Sequence, residues 1–153
     1  MKTLPKLIYG FFNEYSYLSN YHFCKIYYEG LDFLSTEAAY QAMKTLIKEE
    51  RVLFQTMGPA ESKKAGNKVN LRPDWETIKD LIMRDLVFQK FNGVHEEAPL
   101  LKEMLLETKG SYLIEGNWWH DNHWGFCFCD ECKEKDKKNM LGKILMEVRD
   151  GGA

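Results

Sequence analysis

From Trp75 to Phe91 apolar residues recur at helical spacing: Trp75, Ile78, Ile82, Leu86 and then Phe88 or Phe91 share one stripe. This is the longest periodic run in the chain, and its stripe has to be buried against other elements. Pro73 and Asp74 mark its start. A second arc closes the chain, where Met140, Leu141, Ile144, Leu145 and Val148 fall together behind Asn139, a residue placed to cap that helix. Shorter helices are expected over Lys48 to Met57, over Ala60 to Ala65 between Gly58-Pro59 and Gly66, and over Ala98 to Leu106. Strands are expected at Leu7 to Phe12, Ser111 to Glu115 and Trp124 to Phe128. Ile26 and Tyr28, then Leu31 and Phe33, alternate around Glu29-Gly30 as a hairpin does. The pattern predicts an α+β, helix-dominated chain of five or six helices with a few short, mainly antiparallel strands. With no internal repeat and no low-complexity linker, residues 1–153 read as a single domain.

Counted among those helices is Ser35 to Leu46, with Ser35 or Thr36 as N-cap. At about 100° per residue, Ala38, Ala39, Ala42, Met43 and Leu46 occupy one arc, and Glu37, Tyr40, Gln41 and Lys44 line the other. The second face offers a carboxylate, a phenol, an amide and an amine within two turns. It can bind and protonate a polar substrate, or it can simply be solvated, and periodicity leaves both readings open.

Charge and composition narrow the partners. Twenty-one basic and 23 acidic residues leave a net charge of −2, so bulk charge does not attract duplex nucleic acid, although one engaged base is compatible with it. A hydrophobic content of 44% and an aromatic content of 14% argue against disorder. No stretch approaches the roughly 20 apolar residues of a membrane span. Met1 to Phe12 lacks the apolar core and cleavage site of a secretory leader, so the expected compartment is the cytoplasm, with reduced thiols.

Two further segments concentrate chemistry. Asn117 to Gly125 holds three of the four tryptophans and two of the four histidines without a clear period. Such a loop can serve a ligand, or its tryptophans can plug the core while Asp121 caps or pairs. Cys127-Phe128-Cys129-Asp130-Glu131-Cys132 follows as a C-x-C-x-x-C run. Three thiolates, completed by His120, His123 or the distant Cys24, suit tetrahedral zinc; buried, reduced cysteines without metal are the alternative. If Trp124 to Phe128 is a strand, Cys127 and Cys129 point the same way. A catalytic zinc lacks its usual carboxylate–histidine helix signature here. Cys24 follows closely on His22, but adjacency in sequence does not make a catalytic dyad. Lys133 to Lys138 mixes signs and reads as a solvated loop.

An ordered set of short pieces carries a resemblance. It begins with Phe12, Leu18-Ser19-Asn20-Tyr21 and Gly30, and continues through Ser35-Thr36-Glu37, Tyr40-Gln41-Ala42 and Lys44. Arg72, Asp74-Trp75, Met83, Lys90-Phe91, Leu105, Thr108 and Glu115 follow. It closes with Asp121, Trp124-Gly125, Asn139-Met140-Leu141-Gly142, Leu145-Met146 and Val148-Arg149. Spanning nearly the whole chain, this set resembles the NADAR superfamily (named for NAD and ADP-ribose), whose YbiA-like members are N-glycosidases of early riboflavin-pathway intermediates. Two features depart from the family pattern: Ala38 stands where histidine is common, and the cysteine run is an insertion.

The resemblance implies hydrolysis of the C–N bond between a (phospho)ribose and a nitrogenous base or amine. It implies Glu37 as general base or oxocarbenium stabiliser and Asp121 as its partner carboxylate. Lys44 would bind a phosphate or ribose hydroxyl, or, as a neutral amine, attack C1 of the opened sugar. Trp75 and Trp124 would sandwich the heterocycle, with Ser19, Asn20, Tyr40, Gln41 and Asn139 binding sugar and base edges. The implied partner is a small ribosylated, nucleotide-like substrate, with no membrane and no required cofactor; zinc at Cys127, Cys129 and Cys132 would be structural. The alternative substrate within the family is ADP-ribosylated guanine, free or in nucleic acid. A non-catalytic nucleotide- or ADP-ribose-binding module and a zinc-stabilised interaction domain are the readings from other classes.

Overall fold

The computed structural model describes residues 6–151. The expectation about a leader begins in residues 1–5, outside the described residues. Two compact units emerge: a central unit, Asn20–Lys102, and a terminal unit made of the chain through Ser19 together with Glu103 onward.

In the central unit, β2 (Phe23–Tyr28) and β3 (Leu31–Ser35) form an antiparallel hairpin. Its turn is the Glu29-Gly30 pair, and both residues have positive φ, 50° and 78°. That conformation matches the right-handed twist of the strands, and glycine adopts it without a Cβ penalty. Helix α1 (Thr36–Ala42) follows directly, then α2 (Lys48–Leu53), α3 (Pro59–Gly66), α4 (Trp75–Asn92) and the start of α5 (Ala98–Glu107). Ile26, Phe33, Ala38, Ala39, Ile82, Met83, Leu86 and Phe91 are buried. The α4 stripe thus resolves to Phe91; Phe88 is exposed and Ile78 half-buried.

The terminal unit pairs β1 (Leu7–Tyr9) with β4 (Tyr112–Ile114) and β5 (Gly116–Asn117) with β6 (Phe126–Cys127), both in parallel. The antiparallel hairpin therefore contains the longest strands, but two of the three pairs among the described residues run parallel. Local alternation reveals a hairpin turn; it carries no information on how sequence-distant strands of two or three residues pair. Helix α6 (Met140–Arg149) buries Leu141, Ile144 and Leu145 as its arc predicts. Near its end Arg149, 8% exposed, donates from Nη1 to the carbonyls of Thr108 (3.1 Å) and Ser111 (2.7 Å). No helix among the described residues is long and apolar enough to cross a membrane.

Candidate active site

Helix α1 is buried on every side. All seven of its residues are shielded, with Glu37 7%, Tyr40 6% and Gln41 4% exposed. The solvated reading of its polar face is thereby excluded: a carboxylate and an amide withdrawn from water cost free energy unless they are engaged. Ser35 is the N-cap, and its hydroxyl accepts from the Ala38 amide at 3.1 Å. The Glu37 amide donates to the Asn20 carbonyl at 3.1 Å, fixing the first turn against the preceding loop.

Glu37 and Gln41 are one turn apart, and Gln41 Nε2 donates to Glu37 Oε1 at 2.8 Å. A hydrogen bond to an ionised acceptor is among the stronger ones and fixes the carboxylate's orientation. Behind Gln41 sits Gly66, where an added Cβ would fall 1.9 Å from Gln41 Oε1. Gly66 lies inside α3, and the C-cap falls on Asn67 in a right-handed conformation. The glycine expected to close the helix instead admits a side chain from the neighbouring one. Tyr40 packs its ring on Trp75, centroids 5.0 Å apart and planes at 54°. Trp75 is 5% exposed, so its ring is core, shared with the site wall.

Lys44 does not complete the helical face. Helix α1 ends at Ala42, and the next amides tighten into i→i−3 bonds, Lys44 N–H to Gln41 O at 3.2 Å and Thr45 N–H to Ala42 O at 3.4 Å. The Arg72 amide takes the Lys44 carbonyl at 2.7 Å, satisfying a group the helix would otherwise have used. Lys44 is half-buried. Burial lowers its ammonium below the ordinary lysine range; the Glu37 carboxylate pulls it back up, while Lys63 and Lys79 push it down. Asn20 is buried, with Nδ2 3.5 Å from Met83 Sδ.

Ser19, Asp121, Trp124 and Asn139 belong to the terminal unit. Asn117 clamps the Asp121 backbone, accepting its amide at 3.1 Å and donating to its carbonyl at 2.7 Å. Asp121 Oδ1 accepts the amides of His123 (3.1 Å) and Trp124 (2.9 Å), an Asx-type turn that fixes this carboxylate. Trp124 is half-buried with the His123 ring edge-on at 4.6 Å, whereas Trp118 and Trp119 are 60% and 54% exposed rather than plugging the core. Asn139 occupies the N-cap position of α6 in a left-handed conformation (φ 46°), and its side chain does not cap the helix. Its Oδ1 accepts from Glu115 N–H at 3.0 Å and its Nδ2 donates to Leu113 O at 2.9 Å, tying the helix start to β4 and the residue after it. Ser19 is half-buried at the end of the 3-10 turn Asn13–Leu18.

Cys127, Cys129 and Cys132 gather with His120, their donor atoms all within 4.8 Å of one another, as a metal could require. Cys24 is buried in the central unit, where burial raises its thiol, opposed by Lys90. A thiol held neutral is a poor nucleophile.

Sequence reasoning passed over Lys90 as a titratable group. It is 1% exposed, and burial brings its ammonium down to about 8, against the pull of Cys24 and Glu97. The available signal was its place on the α4 stripe, four residues after Leu86.

Comparison with known proteins finds relatives in sequence and in fold. A family model for the NADAR domain matches residues 9–151. The N-glycosidase YbiA of Shigella boydii serotype 4 is 30% identical over 141 residues, 90% of this chain and 82% of that protein. The chloroplastic riboflavin biosynthesis protein PYRR of Arabidopsis thaliana is 37% identical over 79 residues, 52% of this chain but 12% of that protein. The NMR structure of Escherichia coli YbiA matches with a TM-score of 0.78 at 26% identity, covering 97% of this chain and 86% of that one.

Proposed function

The chain belongs to the NADAR domain family, and we propose that it is an N-glycosidase cleaving the C–N bond between a (phospho)ribose and a nitrogenous base or amine. The observation that carries this reading is the buried Glu37 carboxylate, held by Gln41 in the shielded first turn of α1. Breaking a ribosyl C–N bond places positive charge on C1 and the ring oxygen. A preoriented carboxylate stabilises that charge or activates the attacking water. Asp121 is assigned the second carboxylate, with Oδ1 spent on backbone amides and the side chain thereby fixed. Lys44 is assigned to a phosphate or ribose hydroxyl. Its lowered proton affinity also suits attack on C1 of an opened sugar, since only the neutral amine is a nucleophile.

Riboflavin-pathway ribosylamino-pyrimidine phosphates are the proposed substrates, in keeping with the name of the partly matching plant protein. Tyr40, Gln41, Asn20 and Ser19 are assigned to sugar and base edges, and Trp124 to the heterocycle. Trp75 supports Tyr40 from within the core, and Asn139 acts through the backbone it ties down. Residues 1–153 act as one domain in this reading, the reaction calls for no cofactor, and metal at the cysteine cluster serves structure.

The test is mass-spectrometric detection of released base or amine from a ribosylamino-pyrimidine phosphate and, separately, from ADP-ribosylated guanosine. Turnover that falls roughly 100-fold or more in Glu37→Gln is expected with the first substrate. Preference for the second would move the substrate to ADP-ribose, and binding of both without turnover would leave a nucleotide-binding module. Borohydride added during turnover labels Lys44 if the amine is the nucleophile; a fully active, unlabelled enzyme limits Lys44 to binding.

A further inference from the structure

We infer that His120, Cys127, Cys129 and Cys132 bind one zinc ion in a closed tetrahedral site that pins the loop carrying Asp121. The donor set is the first argument. His120 Nδ1 lies 3.3 Å from both Cys129 Sγ and Cys132 Sγ and 3.9 Å from Cys127 Sγ. Cys127 Sγ and Cys129 Sγ are 3.4 Å apart. Zinc bonds of about 2.3 Å to sulfur and 2.0–2.1 Å to nitrogen give tetrahedral edges of roughly 3.8 Å between sulfurs and 3.6 Å between nitrogen and sulfur. These four edges scatter around those values within a few tenths of an ångström, and all four donor atoms lie within 4.8 Å of one another.

The surroundings supply a second argument. His120 Nε2 faces Glu131 Oε2 at 3.5 Å, so the nitrogen turned away from the thiols meets a carboxylate. A metal-bound imidazole commonly donates its other N–H to such a group, which fixes the tautomer with the free lone pair towards the ion. The backbone is committed to the same geometry. His120 has φ 69°, a left-handed conformation that a non-glycine residue adopts only when held there. The Cys132 amide donates to the Cys129 carbonyl at 3.1 Å, curling the C-x-x-C into a 3-10 turn that brings both thiols to one side. The Cys127 amide donates to Asn122 Oδ1 at 2.9 Å, coupling the first thiol to the loop that begins with His120.

Four protein donors leave no open coordination position, so the ion is structural. Its effect reaches function through chain connectivity: His120 immediately precedes Asp121, so fixing the imidazole fixes one end of that turn. This consequence for Asp121 rests on the N-glycosidase reading; metal binding itself does not.

The experiment is metal analysis of the full chain purified under reducing conditions, followed by substitution with cobalt(II). One zinc per chain is expected, and the cobalt form should show thiolate-to-metal charge transfer with the strong visible bands of a tetrahedral centre. Glu131→Ala should weaken zinc binding roughly 10- to 100-fold while the four donors stay in place. Stripping zinc should speed amide exchange in residues 117–125 by roughly tenfold or more, a readout that needs no substrate. Iron in place of zinc, octahedral cobalt bands, or a reduced chain that takes up no zinc from an equimolar solution would overturn the site. Unchanged exchange after zinc removal would overturn the pinning of the loop. Loss of turnover with zinc and exchange protection intact would count against the N-glycosidase reading and leave the zinc site standing.

Discussion

Replacing Lys90 by methionine should stabilise the protein at neutral pH, and by an amount that fades as the pH rises. The ammonium is 1% exposed, with the Phe91 ring centroid 5.3 Å from Nζ, and the Glu97 carboxylate and, once ionised, the Cys24 thiolate favour its charged form. Burial nevertheless wins, bringing the group from 10.5 to about 8. At 1.36 kcal/mol for each tenfold change in proton affinity, that difference amounts to about 3 kcal/mol. A lysine whose folded value lies below its unfolded value binds more protons in the unfolded chain between the two. Its penalty is fully present below about pH 8 and is relieved as pH climbs towards 10.5. Lys90→Met, similar in length and uncharged, removes the penalty, as replacement of buried charges by apolar groups often does. The assay is urea unfolding followed by tryptophan fluorescence, wild type against variant, at steps from about pH 7 to about pH 9.5. Groups that do not feel the Lys90 charge, such as Tyr17 raised to about 12 by burial, cancel in the difference, whereas His22 and Cys24 feel it and are removed in a His22→Gln, Cys24→Ala background. The variant's advantage should approach ~3 kcal/mol at pH 7 and shrink by ~2 kcal/mol at the upper end, with the denaturant slope unchanged. A variant less stable than wild type at pH 7, or an advantage that does not vary with pH, would refute the reasoning. The first result would mean that the ammonium's partners outweigh its desolvation, and the second that they offset it.

Two other perturbations test the packing behind the site and the end of the last helix. Gly66→Ala places a methyl 1.9 Å from Gln41 Oε1 and 2.8 Å from its Cδ, so Gln41 must swing and release Glu37. A charge-assisted hydrogen bond contributes roughly 1.5–3 kcal/mol, and turnover should fall about tenfold or more with folding retained. Gln41→Ala in the same background should add little; additive losses would show that the methyl acts by another route. Arg149→Met leaves the carbonyls of Thr108 and Ser111 without their shared donor and should cost about 3 kcal/mol in denaturant unfolding. A loss below ~1 kcal/mol would mean that solvent reaches those carbonyls.

Elements set by local patterns were legible, and the residues proposed for the site were nominated from the same sequence chemistry. The hairpin at Glu29-Gly30, the Ser35 cap, the α4 stripe and the α6 arc depend on side-chain period and turn chemistry within a few residues. The cysteine spacing pointed to a cluster that could hold a metal, and the structure places His120, not His123 or Cys24, beside the three thiols. Less legible was the length of α1: its alternation runs through Lys44, but the Arg72 amide, 28 residues away, takes the carbonyl there. Asn139 reads as a cap because caps are local, whereas its amide is committed to Leu113 in β4 and to Glu115 just after it.

The sequence alone determined which segments are helical and which family the chain joins, and it nominated the residues proposed as the reactive set. Those properties follow from periodicity and residue chemistry, which travel with the chain. Tertiary structure decided the environment: that the Glu37 face is shielded, that Gly66 admits Gln41, that Lys90 is buried as a base of reduced strength, and that short strands pair in parallel. Desolvation and steric fit depend on neighbours distant in sequence, and no local pattern encodes who those neighbours are.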